Sequence, residues 1–242
     1  TSLRDKLLQL AQNGVDRVHV CRFDARLAAL PADRFVEHVL VRGLGVRHLI
    51  IGDDFRFGAR RQGDFALLER EGARLGFGVE AMPTLADGGV RVSSSAVREA
   101  LAEGRLDDAA ALLGRPYSIA GRVTTGRRLG RSLGYPTANI ALRFRRPALG
   151  GVFAVAVEGL AGHRLAGVAN LGSRPTVGGD RPNLEVHLLD WAGDCYGTHL
   201  RVHFLHKLRD EARYDSLDAL RAQIRLDERA ARAWFAAHPI QN

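Results

Sequence analysis

A chain of 242 residues with 46% apolar and 26% charged side chains is long enough for two globular domains and too balanced for a disordered or fibrous protein. Its charge of +8 is almost entirely arginine, since only Lys6 and Lys207 are lysines beside 33 arginines; a pI near 10.4 therefore reflects residue usage as readily as an anionic partner. No stretch approaches the roughly 18 consecutive apolar residues of a membrane-crossing helix, no signal-peptide pattern opens the chain, and Cys21 and Cys195 have no metal or redox spacing, so a soluble cytoplasmic protein without membrane or nucleic-acid partners is expected.

Ser2 followed by Asp5 reads as a helix cap, with Leu3, Leu7, Leu10 and Ala11 at helical spacing until Gly14. A short strand is expected at Val18 and Val20, then a helix carrying Phe35, Val36, Val39 and Leu40, then the apolar run Leu49 to Ile51 ending at Gly52. A helix over 65–75 and a strand over 77–82 continue the alternation, which predicts a parallel sheet with crossover helices. A helix through Ala100 and another over 107–113 follow, and Gly114-Arg-Pro116 marks the expected domain boundary.

From Tyr117 the period changes to two. Tyr117, Ile119 and Val123, then Phe153, Val155 and Val157, then Leu184, Val186 and Leu188, then Leu200, Val202 and Phe204 alternate as antiparallel strands of a small barrel. Ser216 can cap a last helix whose Leu217, Leu220, Ile224, Ala231 and Trp234 share a face.

Four segments have the makings of chemistry. Gly52 to Gly58 holds Asp53, Asp54 and Arg56 in a loop after a strand, where ligands of open parallel sheets bind. Arg91 to Arg98 brings Ser93, Ser94 and Ser95 to a helix start between two arginines, a pattern suited to phosphate, or to plain capping by Ser94 or Ser95. Gly121 to Asn139 sets Gly126, Gly130 and Gly134 among Arg127, Arg128 and Arg131; without a lysine it is not a Walker A loop. Thr137 and Asn139 then offer two oxygens on one side of an extended segment, suited to a hard cation or to a simple turn. On 184–188, Glu185 and His187 share the face opposite the apolar residues, as a general base or as a solvated edge. His199, His203 and His206 are not expected to bind metal, because strand alternation points His206 away from the other two.

Together these segments resemble the bacterial bifunctional riboflavin kinase and FAD synthetase (FMN adenylyltransferase) family over nearly the whole chain. Gly130-Arg-Ser-Leu-Gly-Tyr-Pro-Thr-Ala-Asn139 is similar to the kinase signature, and 170–178, 184–190 and 207–211 to its companion segments. The segments 52–58 and 91–98 are similar to nucleotide-site segments of the adenylyltransferase, with Ser95 where threonine is commoner. The resemblance implies an α/β plus β chain: an incomplete Rossmann-like nucleotidyltransferase domain over 1–114, then a riboflavin kinase-like antiparallel β-barrel with a C-terminal helix over 115–242.

It further implies transfer of the terminal phosphoryl of ATP to riboflavin, giving FMN. Glu185 would be the base; Thr137 and Asn139 would hold Mg²⁺, and with Gly126, Gly130, Arg131 and Pro136 they would hold ATP. Tyr135, Arg209 and Asp210 would border the flavin as a flap, and Asp54, Arg91, Ser94, Ser95 and Arg98 would form the adenylyltransferase nucleotide site. The family's first domain opens with an H-x-G-H segment that this sequence lacks, so the chain is expected to enter the pattern on the order of 30 residues late and to make little FAD. The alternatives are a nucleic-acid-binding basic barrel, weakened by only 7% aromatic residues, and a nucleotidyltransferase for another substrate.

Overall fold

The computed structural model describes residues 2–52, 54–87, 89–126, 134–142, 147–174 and 181–240. They fall into two compact units, Val15–Leu85 and the combination of Thr1–Gly14 with Ala86–Asn242.

In the first unit, β1 (His48–Gly52) and β2 (Gly78–Met82) pair in parallel, and the crossover between them carries the helix Phe65–Leu75. That helix has local start and stop signals: Asp64 accepts from the Leu67 N–H at 2.9 Å, and Gly76 closes it at φ 81°. Leu68 from the helix meets Val36, Leu40, Phe57 and Phe77 in the core. Val36 and Leu40 lie on a π-helical stretch, Phe35–Gly43, so the expected helix is present with a wider turn. The expected strand at Val18 and Val20 is not formed. Residues 15–24 have no regular structure and both valines are exposed, because a two-residue alternation makes a strand only where another edge pairs with it.

The second unit opens with α1 (Leu3–Gln12), whose Ser2 and Asp5 form the expected reciprocal capping box. Asp5 is buried and takes an ion pair from Arg201 at 3.2 Å. A short hairpin of β3 (Ala86–Asp87) and β4 (Val90–Arg91) precedes the helices Ser94–Ala102 and Leu106–Leu113, the latter ended by Gly114 at φ 66°. Six antiparallel strands then close a barrel. In chain order they are β5 (Ser118–Thr124), β6 (Ala138–Ile140), β7 (Gly151–Glu158), β8 (Leu165–Arg174), β9 (Arg181–Leu188) and β10 (His199–Arg209), arranged β10-β5-β6-β9-β8-β7.

The alternating residues fill the barrel. Phe153, Val155, Leu184, Val186, Leu200, Val202 and Phe204 are fully buried, and Phe153 meets Phe204 edge-on at 5.2 Å. Each such side chain contributes roughly 1.5–3 kcal/mol. Leu101, Leu106 and Ala109 join the same core, which is why residues 86–114 cluster with the barrel and not with Val15–Leu85. β7 is buried on both faces, because the C-terminal helix Leu217–Ala237 lays Ala231, Trp234 and Phe235 on the barrel exterior beside Ala154 and Leu189. Leu217, expected on that buried face, is 57% exposed at the helix start.

β10 carries two register shifts, between Phe204 and His206 and between Lys207 and Arg209. The first corrects the expectation for His206: it pairs with Ala154 and His203 pairs with Ala156, so both lie on one face. They serve different contacts. His206 stacks on Trp234 at 5.6 Å, and His203 Nε2 lies 3.0 Å from Glu158.

Burial is the main influence on His203 and holds its imidazole below the usual 6.5, outweighing the attraction of Glu158. Burial pushes Glu158 up, but its bond from Arg164 and the nearby His203 leave it below its ordinary value. For both groups the unfolded chain then binds protons first on acidification, so stability is lost as pH falls, His203 entering below about 6.5 and Glu158 only below its own ordinary value. Urea midpoints measured between about pH 7.5 and about pH 5.5 should decline, and His203→Gln should flatten that decline; an unchanged slope in the variant would contradict the assignment.

Candidate active site

The barrel's exterior carries a polar row that follows directly from strand register. Asn139 pairs with Glu185, Glu185 with Asn170, Asn170 with Val152, and Val152 with Arg209, so five strands bring these residues side by side. Leu184 and Val186 point inward and force Glu185 out; in the same way Ala138 and Ile140 are buried and turn Asn139 outward. The C-terminal helix and the residues before it cover this row, leaving a cavity of about 620 Å³. Its polar wall holds Thr137, Asn139, Asn170, Glu185 and His187, and its apolar wall Leu217, Leu220 and Ile224 with Tyr135 and Tyr214. That volume and mixture of surfaces suit a cofactor-sized organic ligand with a polar tail.

Thr137, Asn139, Glu185, Tyr135 and Arg209, singled out on separate stretches of sequence, thus line one cavity. Glu185 accepts from Asn183 Nδ2 at 2.8 Å. Gly126 lies against Asn139: a Cβ there would collide with the Asn139 amide. Pro136 offers its carbonyl to His187 Nδ1 at 2.9 Å, and the Tyr135 ring meets the His187 ring edge-on at 5.4 Å. Gly130 and Arg131, like Asp53, Arg127, Arg128 and residues 175–178, lie outside the described residues.

Arg209 is held firmly. Its Nε and Nη2 donate to the two oxygens of Asp227 at 2.8 and 2.7 Å, Gln223 donates to the same carboxylate at 2.9 Å, and the Tyr214 ring lies 5.9 Å from the guanidinium. The bonds to Asp227 raise the Arg209 pKa further above its ordinary range. Asp227 is buried, and breaking such a pair strands a charge at a cost on the order of 3 kcal/mol. Asp210 is exposed, bonds Lys207 at 2.6 Å and does not line the cavity.

Five carboxylates, Glu185, Glu211, Asp215, Asp227 and Glu228, line this cavity against one guanidinium already committed to Asp227. A phosphate entering it needs a countercation. The oxygens of Thr137, Asn139 and Glu185 are hard donors that fit Mg²⁺, and no cluster of three or more His, Cys, Asp or Glu that could cage a metal occurs among the described residues. Asn170 Oδ1 is buried without a hydrogen-bond partner among the described residues, an acceptor left for something the cavity binds.

None of the remaining expected residues that the structure describes lines this cavity. Arg91 ends the short hairpin, and Ser94, Ser95 and Arg98 are exposed in the first turns of Ser94–Ala102. The cap there is Ser93, which accepts from Ala96 N–H at 3.1 Å, so neither Ser94 nor Ser95 has the capping role considered for it. Asp54 is exposed in the turn after β1, in the other compact unit.

Asn170 and Glu211 stand at the ends of the segments 170–178 and 207–211 read from sequence but had no role of their own there, and Tyr214 and Asp227 were not singled out. The signal available for Asn170 was its place opposite Glu185, and for Asp227 a lone acid within the apolar spacing of the last helix.

Two family models match this chain. The riboflavin kinase family model matches residues 113–235 and the FAD synthetase family model residues 1–96. A bifunctional riboflavin kinase/FMN adenylyltransferase of Escherichia coli K12 is 53% identical over 235 residues, covering 97% of this chain and 75% of that protein. The protein of the same description from Haemophilus influenzae is 46% identical, covering 96% and 76%. Among solved structures, one named as a macrolide-efflux protein from Streptococcus pneumoniae superposes with a TM-score of 0.81 at 29% identity, covering 96% of this chain and 75% of that one. Efflux is said of that protein; no helix among the described residues here is long and apolar enough to cross a membrane.

Proposed function

The chain belongs to the bifunctional riboflavin kinase/FMN adenylyltransferase family, and from that premise we propose that the cavity under the C-terminal helix is where riboflavin becomes FMN. The observation that carries this reading is the register row placing Glu185 between Asn139 and Asn170 inside the cavity. The chain is a riboflavin kinase by family, with ATP as phosphoryl donor.

In this reading the flavin ring lies on Leu217, Leu220, Ile224 and Tyr214, and the ribityl chain runs toward Glu185. The ribityl 5′-hydroxyl oxygen bonds to the terminal phosphorus of ATP, the bond from that phosphorus to its bridging oxygen breaks, ADP leaves, and Glu185 takes the hydroxyl proton. Such a transfer depends on alignment and charge neutralisation more than on covalent chemistry by the protein. Thr137 and Asn139 would hold Mg²⁺ and ATP oxygens, and Mg²⁺ would neutralise phosphate charge beside the acidic wall. Gly126, Gly130, Arg131 and Pro136 belong to the proposed ATP loop. Tyr135 and Arg209 belong to the proposed flavin border, where Arg209 acts through its grip on Asp227; Asp210, which follows it in the chain, bonds Lys207 outside the cavity and is not part of that border.

We assign residues 1–114 to the adenylyltransferase half and 115–242 to the kinase half; the spans of the two family models support this division, while helices over 94–113 pack on the barrel. Arg91, Ser94, Ser95 and Arg98 are proposed phosphate contacts of the first half, and Asp54 is proposed to serve the same chemistry.

The flavin placement has a direct test. Ile224→Arg puts a long, polar side chain in place of the apolar wall on which the ring would lie and should raise KM for riboflavin at least about 10-fold, since an apolar contact is lost and the ring's space is filled, while KM for ATP moves less. An unchanged riboflavin KM would place the ring elsewhere.

A further inference from the structure

We propose that His187 is a positioning residue of the kinase site: it fixes Thr137 and Asn139 by donating its Nδ1–H to the carbonyl of Pro136. The inference rests on the reading that this cavity is the kinase site.

The contact is 2.9 Å long and joins residues 51 positions apart. A carbonyl oxygen only accepts, so the proton sits on Nδ1. Among the described residues, Asn139 is held by its rungs to β5 and β9, whereas the turn before Ala138 lies outside that ladder and is where such a bond is needed. β6 is three residues long and its pairing with β9 begins at Ala138. Pro136 has no N–H with which to extend that ladder. Thr137 therefore sits between the first rung and a residue whose one backbone polar group is taken by His187. On β9 the same histidine stands two residues from Glu185 on the same face, pairs with Val168, and has the Tyr135 ring against its edge. One side chain thus ties the strand that carries the proposed base to the turn that carries the proposed ATP and Mg²⁺ oxygens. Displacing those oxygens by about 1 Å can cost on the order of 10²-fold in rate.

The test is a donor swap at full chain length. The amide nitrogen of asparagine occupies the place of Nδ1, aspartate has the same shape without the donor, and the nitrogen of glutamine lies further out. His187→Gln and His187→Asp should raise KM for ATP and lower kcat/KM for ATP by about 10- to 100-fold, with a smaller change in KM for riboflavin. His187→Asn should recover most of that loss. Melting temperatures measured alongside identify a variant that fails to fold, and the comparison then rests on Asn against whichever donorless variant folds. Wild-type ATP kinetics in the donorless variants, or equal impairment with asparagine, would overturn the inference. Glu185→Gln is run in the same assay: if it keeps wild-type turnover, it is the location of the kinase site that fails, a result separate from the His187 series.

Discussion

Glu185→Gln should lower FMN formation by about 10²–10⁴-fold, the range lost when a positioned proton acceptor is removed. The substitution keeps the side chain's size and its ability to accept from Asn183, whose amide lies 2.8 Å from Oε1. What it removes is the capacity to take the ribityl hydroxyl proton. ATP binding, measured by equilibrium dialysis on the same variant, should stay near the wild-type value, because Thr137 and Asn139 remain in place one strand away. Turnover by the variant at the wild-type rate would remove Glu185 from the role of base and, with it, the placement of the kinase site in this cavity.

Asn139→Ala should have the second largest effect, a loss of roughly 10²–10³ in kcat/KM for ATP, comparable to deleting one preorganised group at a charge-developing centre. Asn139 sits opposite Glu185 in the ladder, and Gly126 leaves the space that its amide occupies. The loss should be accompanied by a higher Mg²⁺ requirement, since the carboxylates around the cavity make an unneutralised phosphate unfavourable there. A variant with the wild-type Mg²⁺ dependence would separate Asn139 from the metal.

Local signals made the individual elements readable. The Ser2–Asp5 box, the Asp64 and Gly76 bounds of one helix, the stop at Gly114 and the alternation at 184–188 all act within a few residues of chain. The same locality misled at Val18 and Val20, where an alternating pair had no neighbouring edge to join. The site was half legible: Thr137, Asn139 and Glu185 could be named, but that they face one another depends on β6 pairing with β9. The shifts in β10 could not be read at all. They bring Arg209 opposite Val152 and turn His206 to the side of His203, and both depend on cross-strand bonds with no signature in the strand's own sequence. Asp227 looked like any acid on a helix until the chain folded its carboxylate onto Arg209. Register and burial are decided by partners distant in sequence, so the residues that hold the cavity together were harder to find than those proposed to meet the substrate.

The central claim is that this chain phosphorylates riboflavin in the cavity beneath its C-terminal helix. Incubating it with riboflavin, ATP and Mg²⁺ and separating riboflavin, FMN and FAD measures this directly, and any FAD formed reports on the adenylyltransferase half. The expected result is FMN accumulating in step with ADP in the wild-type chain and falling away in Glu185→Gln. Riboflavin recovered unchanged at every ATP and Mg²⁺ concentration, or FMN made equally well by the variant, would contradict it.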